Sequence, residues 1–137
     1  MSDRVFIDSN IFLYAFNDDD IAKQQRATDI IMTTLNDNYM SIQVINEVSS
    51  NMLRKLAATN DEVQEFVRDS YSRFNVETIT QKVFLNACEL REQYNLSYYD
   101  SLIVSSALEA ECTILYSEDM QHNLQIKQLT IINPFKQ

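Results

Sequence analysis

No glycine occurs among the 137 residues. That absence removes glycine-rich phosphate loops and dinucleotide fingerprints outright, because both depend on glycine for close backbone approach to phosphate. Turns that need positive φ must fall to asparagine or aspartate, or to a strained residue. His122 is the single histidine, so no pair of imidazoles can divide acid and base roles. The two cysteines, Cys88 and Cys112, have neither the spacing nor the histidine neighbours of a zinc site. Both are expected to be buried, reduced thiols, which fits a cytoplasmic location. No apolar run approaches the roughly 20 residues of a membrane span, and no basic segment followed by an apolar one opens the chain. The chain reads as soluble and unexported, with no membrane partner.

Basic residues are also in deficit: 11 Lys and Arg stand against 20 Asp and Glu, for a net charge of -9. A broad electrostatic grip on nucleic acid is therefore disfavoured, since phosphate binding draws on clustered cations. Acids gathered in a metal site would inflate that count while being neutralised locally by the ion. Acidity also serves solubility or attracts a basic partner peptide. With 45% hydrophobic residues, the length suits one domain, residues 1–137, with a genuine core.

The strongest local pattern is Val5-Phe6-Ile7-Asp8-Ser9-Asn10. Three residues suited to a buried parallel strand end in an acid and two helix-capping residues, and the apolar helix Ile11–Ala15 follows. Spacings of three and four predict a helix from Ile21 to about Asn36, with Ala27, Ile30, Ile31, Thr34 and Leu35 inward. A short strand at Tyr39–Ile42 precedes a helix from Gln43 to Ala58, and Asn60 caps another that runs to Phe74. Val76–Ile79 reads as a third strand. Thr80 then caps a helix whose Val83, Ala87, Leu90 and Tyr94 share a face, widened by Phe84 and Cys88. Ser97 begins a further helix to Ala110, and strands follow at Thr113–Tyr116 and Leu129–Ile132. Strands alternating with helices imply an α/β domain: a parallel sheet of about five strands, flanked by helices on both faces.

In such a sheet, strand ends and following helix starts meet at one edge, where ligands collect. Asp8, Glu47, Asp100 and Asp119 all fall at comparable places in this layout. Each also has a local explanation. Asp8 can cap the short helix. Ser97-Tyr98-Tyr99-Asp100 has the form of a capping box. Glu47 suits a helix dipole, and Asp119 a turn. Four acids converging together are harder to explain that way: uncompensated carboxylates repel, whereas a divalent cation makes the cluster favourable. Oxygen ligands suit Mg²⁺ or Mn²⁺.

These segments resemble a known family. The opening Val5–Ala15 is similar to the start of a PIN domain, and Ser97–Ile103 and Ile114–His122 resemble its two later motifs. The closing Leu129–Phe135 resembles the end of bacterial members of the VapC type. The resemblance implies a PIN-like fold and a metal-dependent ribonuclease, commonly the toxin of a type II toxin–antitoxin pair. By motif position Asp8, Glu47, Asp100 and Asp119 match the acidic residues, which would hold Mg²⁺ or Mn²⁺, and Asn10 and Ser117 match the polar support. An RNA substrate, a homodimer and a basic antitoxin segment crossing the acidic crevice are implied by the family as well. The sequence departs from the pattern where Asn123 and Glu111 stand in place of glycine, and a left-handed Glu111 would cost on the order of 1 kcal/mol.

The remaining features leave alternatives. His122 either lies near the site or stabilises its loop. Lys23 and Arg26, one turn apart, and Arg54-Lys55 either touch phosphates or form solvated faces. Tyr98 and Tyr99 suit base stacking or a subunit interface. A catalytically inactive PIN-like module that binds RNA or a protein is the rival reading. A dehalogenase-like phosphatase would want a second aspartate where Asn10 stands, and a receiver domain would want a late lysine that has no clear counterpart.

Overall fold

The computed structural model describes residues 3–136. Along the chain run β1 (Val5–Ile7), α1 (Ser9–Ala15), α2 (Ile21–Thr33), β2 (Asn38–Ser41), α3 (Ile42–Lys55), α4 (Asn60–Arg73), β3 (Asn75–Glu77), α5 (Gln81–Tyr94), α6 (Tyr98–Glu109), β4 (Ile114–Tyr116), β5 (Gln125–Ile126) and β6 (Leu129–Ile132). The sheet order is β3-β2-β1-β4-β6-β5. Every pairing is parallel except that of β5 with β6. All three residues of β1 are buried; since successive side chains point to opposite faces, both faces of the central strand are covered.

The expected α/β architecture is present, with six strands rather than five. The additional strand, β5, is two residues long and antiparallel, too short to carry any periodic signal. Its hairpin turns at Lys127, with φ 54°, in place of the Asn-Gly pair that would have announced it. Strand β2 lies one residue earlier than expected because Ser41 is the N-cap of α3. β3 covers Asn75–Glu77 rather than Val76–Ile79. Helix α3 stops at Lys55, before the left-handed Ala57 with φ 52°.

Without glycine, the left-handed positions are Ala57, Asn95, Glu111, Asn123 and Lys127. Asparagine tolerates this region; the other three carry Cβ strain. Glu111, with φ 61°, closes α6: the Cys112 N–H donates to the Ala107 carbonyl at 2.9 Å and the Glu111 N–H to Leu108 at 3.0 Å. The Arg4 guanidinium adds a third bond, to the Ala110 carbonyl at 3.0 Å. Orphan carbonyls at the helix end are thus satisfied, which offsets the strain.

The core gathers Phe6 and Ile7 of β1, Leu115 of β4, Ile131 of β6, Val44 and Val48 of α3, and Val104 and Ala107 of α6. A smaller cluster of Val83, Ala87 and Leu102 joins α5 to α6. Cys112 is buried as expected, but Cys88 is exposed. The inward face of α5 is narrower than its sequence implied: Phe84, beside Cys88 on the helix, is 42% exposed. No helix is long and apolar enough to cross a membrane among the described residues.

Candidate active site

The site forms where β1 and β4 end. The Asp8 N–H extends their ladder to the Tyr116 carbonyl at 3.1 Å, and the Ser117 N–H continues to Ile132 of β6 at 3.0 Å. Asp8 is 3% exposed. It serves as N-cap of α1, its Oδ1 accepting from the Ser9 N–H at 2.7 Å. Its Oδ2 accepts from the Ser117 hydroxyl at 2.8 Å. The local capping role and the site therefore coincide in one carboxylate. Burial pushes the Asp8 carboxyl up to about 7 against the pull of those two hydrogen bonds, and the charges of Glu47 and Asp119 push the same way.

Parallel pairing of β2 with β1 carries α3 alongside α1, and brings Glu47 to the site. Ser9 donates its hydroxyl to Glu47 Oε2 at 2.8 Å. Gln43, one turn earlier on α3, donates its Nε2 to Glu47 Oε1 at 3.0 Å and to the Tyr99 carbonyl at 3.3 Å. That second bond ties α3 to the start of α6, where Asp100 stands. Asp100 is half-buried; burial raises its pKa, and the charges of Asp119 and Glu47 raise it further. Ser97 accepts the Asp100 N–H at 3.1 Å, the backbone half of the expected capping box.

Asp119 lies in the loop after β4. Asn10 donates its Nδ2 to Asp119 Oδ2 at 3.0 Å and accepts the Glu118 N–H at 3.2 Å. Ser117 Oγ accepts the Asp119 N–H at 3.3 Å. Asn10 and Ser117 are thus in direct contact with the acids. Glu47 and Asp119 lie within electrostatic reach of both Asp8 and Asp100. The same edge contains Ser9, which the sequence presented only as a helix cap, and Gln43, whose one legible signal was its spacing of four residues from Glu47.

Lys23, a third exposed, is a paired cation and not a free phosphate contact: its Nζ is 2.6 Å from Glu118 Oε2 and 3.2 Å from the Tyr14 hydroxyl. Tyr14 donates to Glu118 Oε1 at 2.6 Å. The ammonium also lies over the rings of Tyr14 and Phe135 at 4.6 and 5.3 Å. This cluster fastens the loop after β4 to α1 and α2. Arg26 bonds the Pro134 carbonyl at 3.2 Å. His122 Nδ1 accepts the Asn133 N–H at 3.0 Å, so its imidazole braces a loop.

Among the described residues, no three acids, histidines or cysteines close into a ready-made metal cage. The donor chemistry nevertheless fits a hard divalent cation. The ion pairs among the described residues are Lys23–Glu118 and Lys82–Glu109, and neither neutralises Asp8, Glu47, Asp100 or Asp119. Gln43 Oε1, beside Glu47, is buried with no hydrogen-bond partner among the described residues, an oxygen acceptor that a cation or its water would satisfy.

A buried aspartate at the carboxyl end of a central parallel strand, with Glu47 and Asp119 in electrostatic reach and Asp100 in reach of those two, defines an α/β protein with an acidic centre at the sheet edge. The PIN domain family model matches residues 5–125. The chain belongs to the PIN domain family. A comparison with curated protein sequences finds no match. Among solved structures, a toxin–antitoxin complex from Klebsiella pneumoniae superposes with a TM-score of 0.73 at 19% identity, covering 96% of this chain and 98% of that one. The VapC20 toxin of Mycobacterium tuberculosis, described as cleaving the sarcin-ricin loop, gives 0.70 at 16% identity over 84% and 89% of the two chains. VapBC2 from Rickettsia felis, bound to a DNA fragment from its promoter, gives 0.67 at 18% identity over 93% and 96%.

Proposed function

We propose that this chain is a divalent-metal-dependent endoribonuclease and the toxin of a type II toxin–antitoxin pair. The observation that carries the reading is the buried Asp8, held by Ser9 and Ser117 with Glu47 and Asp119 in reach of both it and Asp100, and no ion pair among the described residues to balance them. The toxins and toxin–antitoxin complexes of the same fold support it.

Asp8 and Asp100 would hold Mg²⁺ or Mn²⁺, with Glu47 and Asp119 binding directly or through water. The ion, when bound, lowers the pKa of water and offsets charge that develops on the phosphoryl oxygens. The protein's own part is orientation. Ser9 and Ser117 fix both oxygens of Asp8, Ser9 and Gln43 fix those of Glu47, and Asn10 aims Asp119. Pre-set donors of this kind remove the cost of arranging ligands at the moment of reaction.

Two partners belong to this reading. An apolar groove of 460 Å³ between α1, α2 and α4 exposes Phe16 and Met32, and three acids, Glu62, Glu65 and Asp69, line it against one cation, Arg73. Apolar surface with acids around it favours an amphipathic basic helix, the chemistry an antitoxin would offer. Tyr98 and Tyr99, exposed at the start of α6 and packed edge to face at 5.4 Å, favour a homodimer contact.

The test is incubation of purified protein with a pool of structured RNAs in Mg²⁺, Mn²⁺ or EDTA, alongside Asp8→Asn. Discrete fragments that require metal and vanish in the variant are expected. If folded protein yields no fragments under any of these conditions and calorimetry detects no Mn²⁺ binding, the inactive binding module replaces this reading.

A further inference from the structure

Beside the acidic centre lies a groove of 380 Å³, within the range of about 300–1,000 Å³ typical of small-molecule sites. Asn10 joins the two: it bonds Asp119 on one side and lines the groove on the other, and Glu118, whose backbone N–H it accepts, lines the groove as well. Leu13 and Leu56 give the groove its apolar surface. Two amides complete it. Asn17 accepts the Asp19 N–H through Oδ1 at 3.0 Å, and its Nδ2 hydrogens have no partner among the described residues. Asn51 is the complement: its Nδ2 donates to the Glu47 carbonyl at 2.8 Å, and its Oδ1 receives only a long 3.5 Å contact from Arg54. Lys55 also lines the groove, and no carboxylate pairs with it among the described residues.

We propose that this groove binds one unpaired nucleobase, that of the nucleotide adjoining the phosphodiester held at the acids, with Lys55 meeting that nucleotide's phosphate. The assignment rests on the ribonuclease reading. Apolar surface suits the faces of a base, an N–H donor and a carbonyl acceptor suit its edge, and the ammonium suits its phosphate. RNA sequence is read in this way, from splayed-out single-stranded bases hydrogen-bonded along their edges. Amide side chains supply the paired donor and acceptor that such an edge requires.

The test has two arms on the full chain. In the first, AMP, GMP, CMP and UMP are titrated into isotope-labelled protein while the side-chain amide resonances of Asn17 and Asn51 are followed. Shifts concentrated there are expected, with one monophosphate about tenfold tighter than the weakest, and Asn17→Leu should erase that preference. Asn17→Asp, which replaces the free donor with an acceptor, should change which base is preferred, and it serves should the leucine variant misfold. In the second arm, cleavage sites in an RNA pool are mapped for wild type and both variants. The base beside the cut should lose its bias in Asn17→Leu. Shifts spread evenly over the surface, or an unchanged base bias in both variants, would overturn the subsite. Nucleotide binding in the groove by a protein that cleaves nothing would support the subsite and defeat the nuclease reading; metal-dependent cleavage without base bias or local shifts would do the reverse.

Discussion

Replacing Asp8 by asparagine should stabilise the metal-free protein, by an amount that grows with pH. Burial and the neighbouring carboxylates push the Asp8 carboxyl from 3.8 up to about 7 in the folded chain. Between these values the native state keeps a proton that the unfolded chain has released. Stability from this group is therefore complete below pH 4 and is lost as pH rises to 7. At about 1.4 kcal/mol per pH unit, the full loss is about 4 kcal/mol. Asparagine is neutral throughout, keeps an acceptor for the Ser9 N–H, and turns its NH₂ toward Ser117. That hydroxyl must then accept where it now donates at 2.8 Å, which costs about 1 kcal/mol. Near-parity at pH 5 and an advantage of about 3 kcal/mol for Asp8→Asn at pH 8 follow. Urea unfolding in EDTA, followed by circular dichroism across that range, reads the difference directly provided the m-values agree. A variant no more stable than wild type at pH 8, or an advantage independent of pH, would contradict the account. Adding Mn²⁺ at pH 8 should raise the wild-type midpoint and leave that of the variant nearly unchanged.

Asp100→Asn should keep the circular dichroism spectrum of the wild type and weaken Mn²⁺ binding by about tenfold or more in calorimetry. Glu111→Gly relieves a residue at φ 61° and should raise stability by about 1 kcal/mol, or about 3–4 °C in Tm by scanning calorimetry. Native protein should take up one equivalent of iodoacetamide, at exposed Cys88; Cys112 is buried, and burial pushes its thiol up to about 12, so mass spectrometry should find a second adduct only after denaturation. Tyr99→Arg should yield a monomer by light scattering if Tyr98 and Tyr99 form the homodimer contact.

The first strand and Asp8 were legible because a short apolar run, an acid and capping residues lie next to one another in sequence. Asp100 and Asp119 were legible from segments placed at strand and helix ends, and Glu47 only from its position after a short strand. What escaped notice depends on contacts between distant segments. Lys23 looked like a surface cation because nothing in its own helix shows that Glu118 and Tyr14 will meet it. Gln43 is a polar residue whose burial follows from the start of α6 arriving above it. Strand β5 exists because β6 offers it an edge, not because Gln125 and Ile126 form a pattern. Cys88 was misplaced inward because a helix period fixes which residues share a side but not how wide the covered stripe is.

The hydrogen bonds that shape the centre are long in sequence: Asp8 meets Ser117, and Asn10 meets Asp119, each across 109 positions. Ser9 reaches Glu47 across only 38. During synthesis, β1, β2 and β3 can pair once the chain has emerged through Glu77, with Asp8 and Glu47 already adjacent. β4 must then arrive to add Ser117 and Asp119, and this non-local step is the slow kind. The emerging chain thus carries an incomplete centre for most of its elongation, and a product truncated before Ser117 would lack its last acid. Competence of the centre is tied to completion of the polypeptide by topology alone.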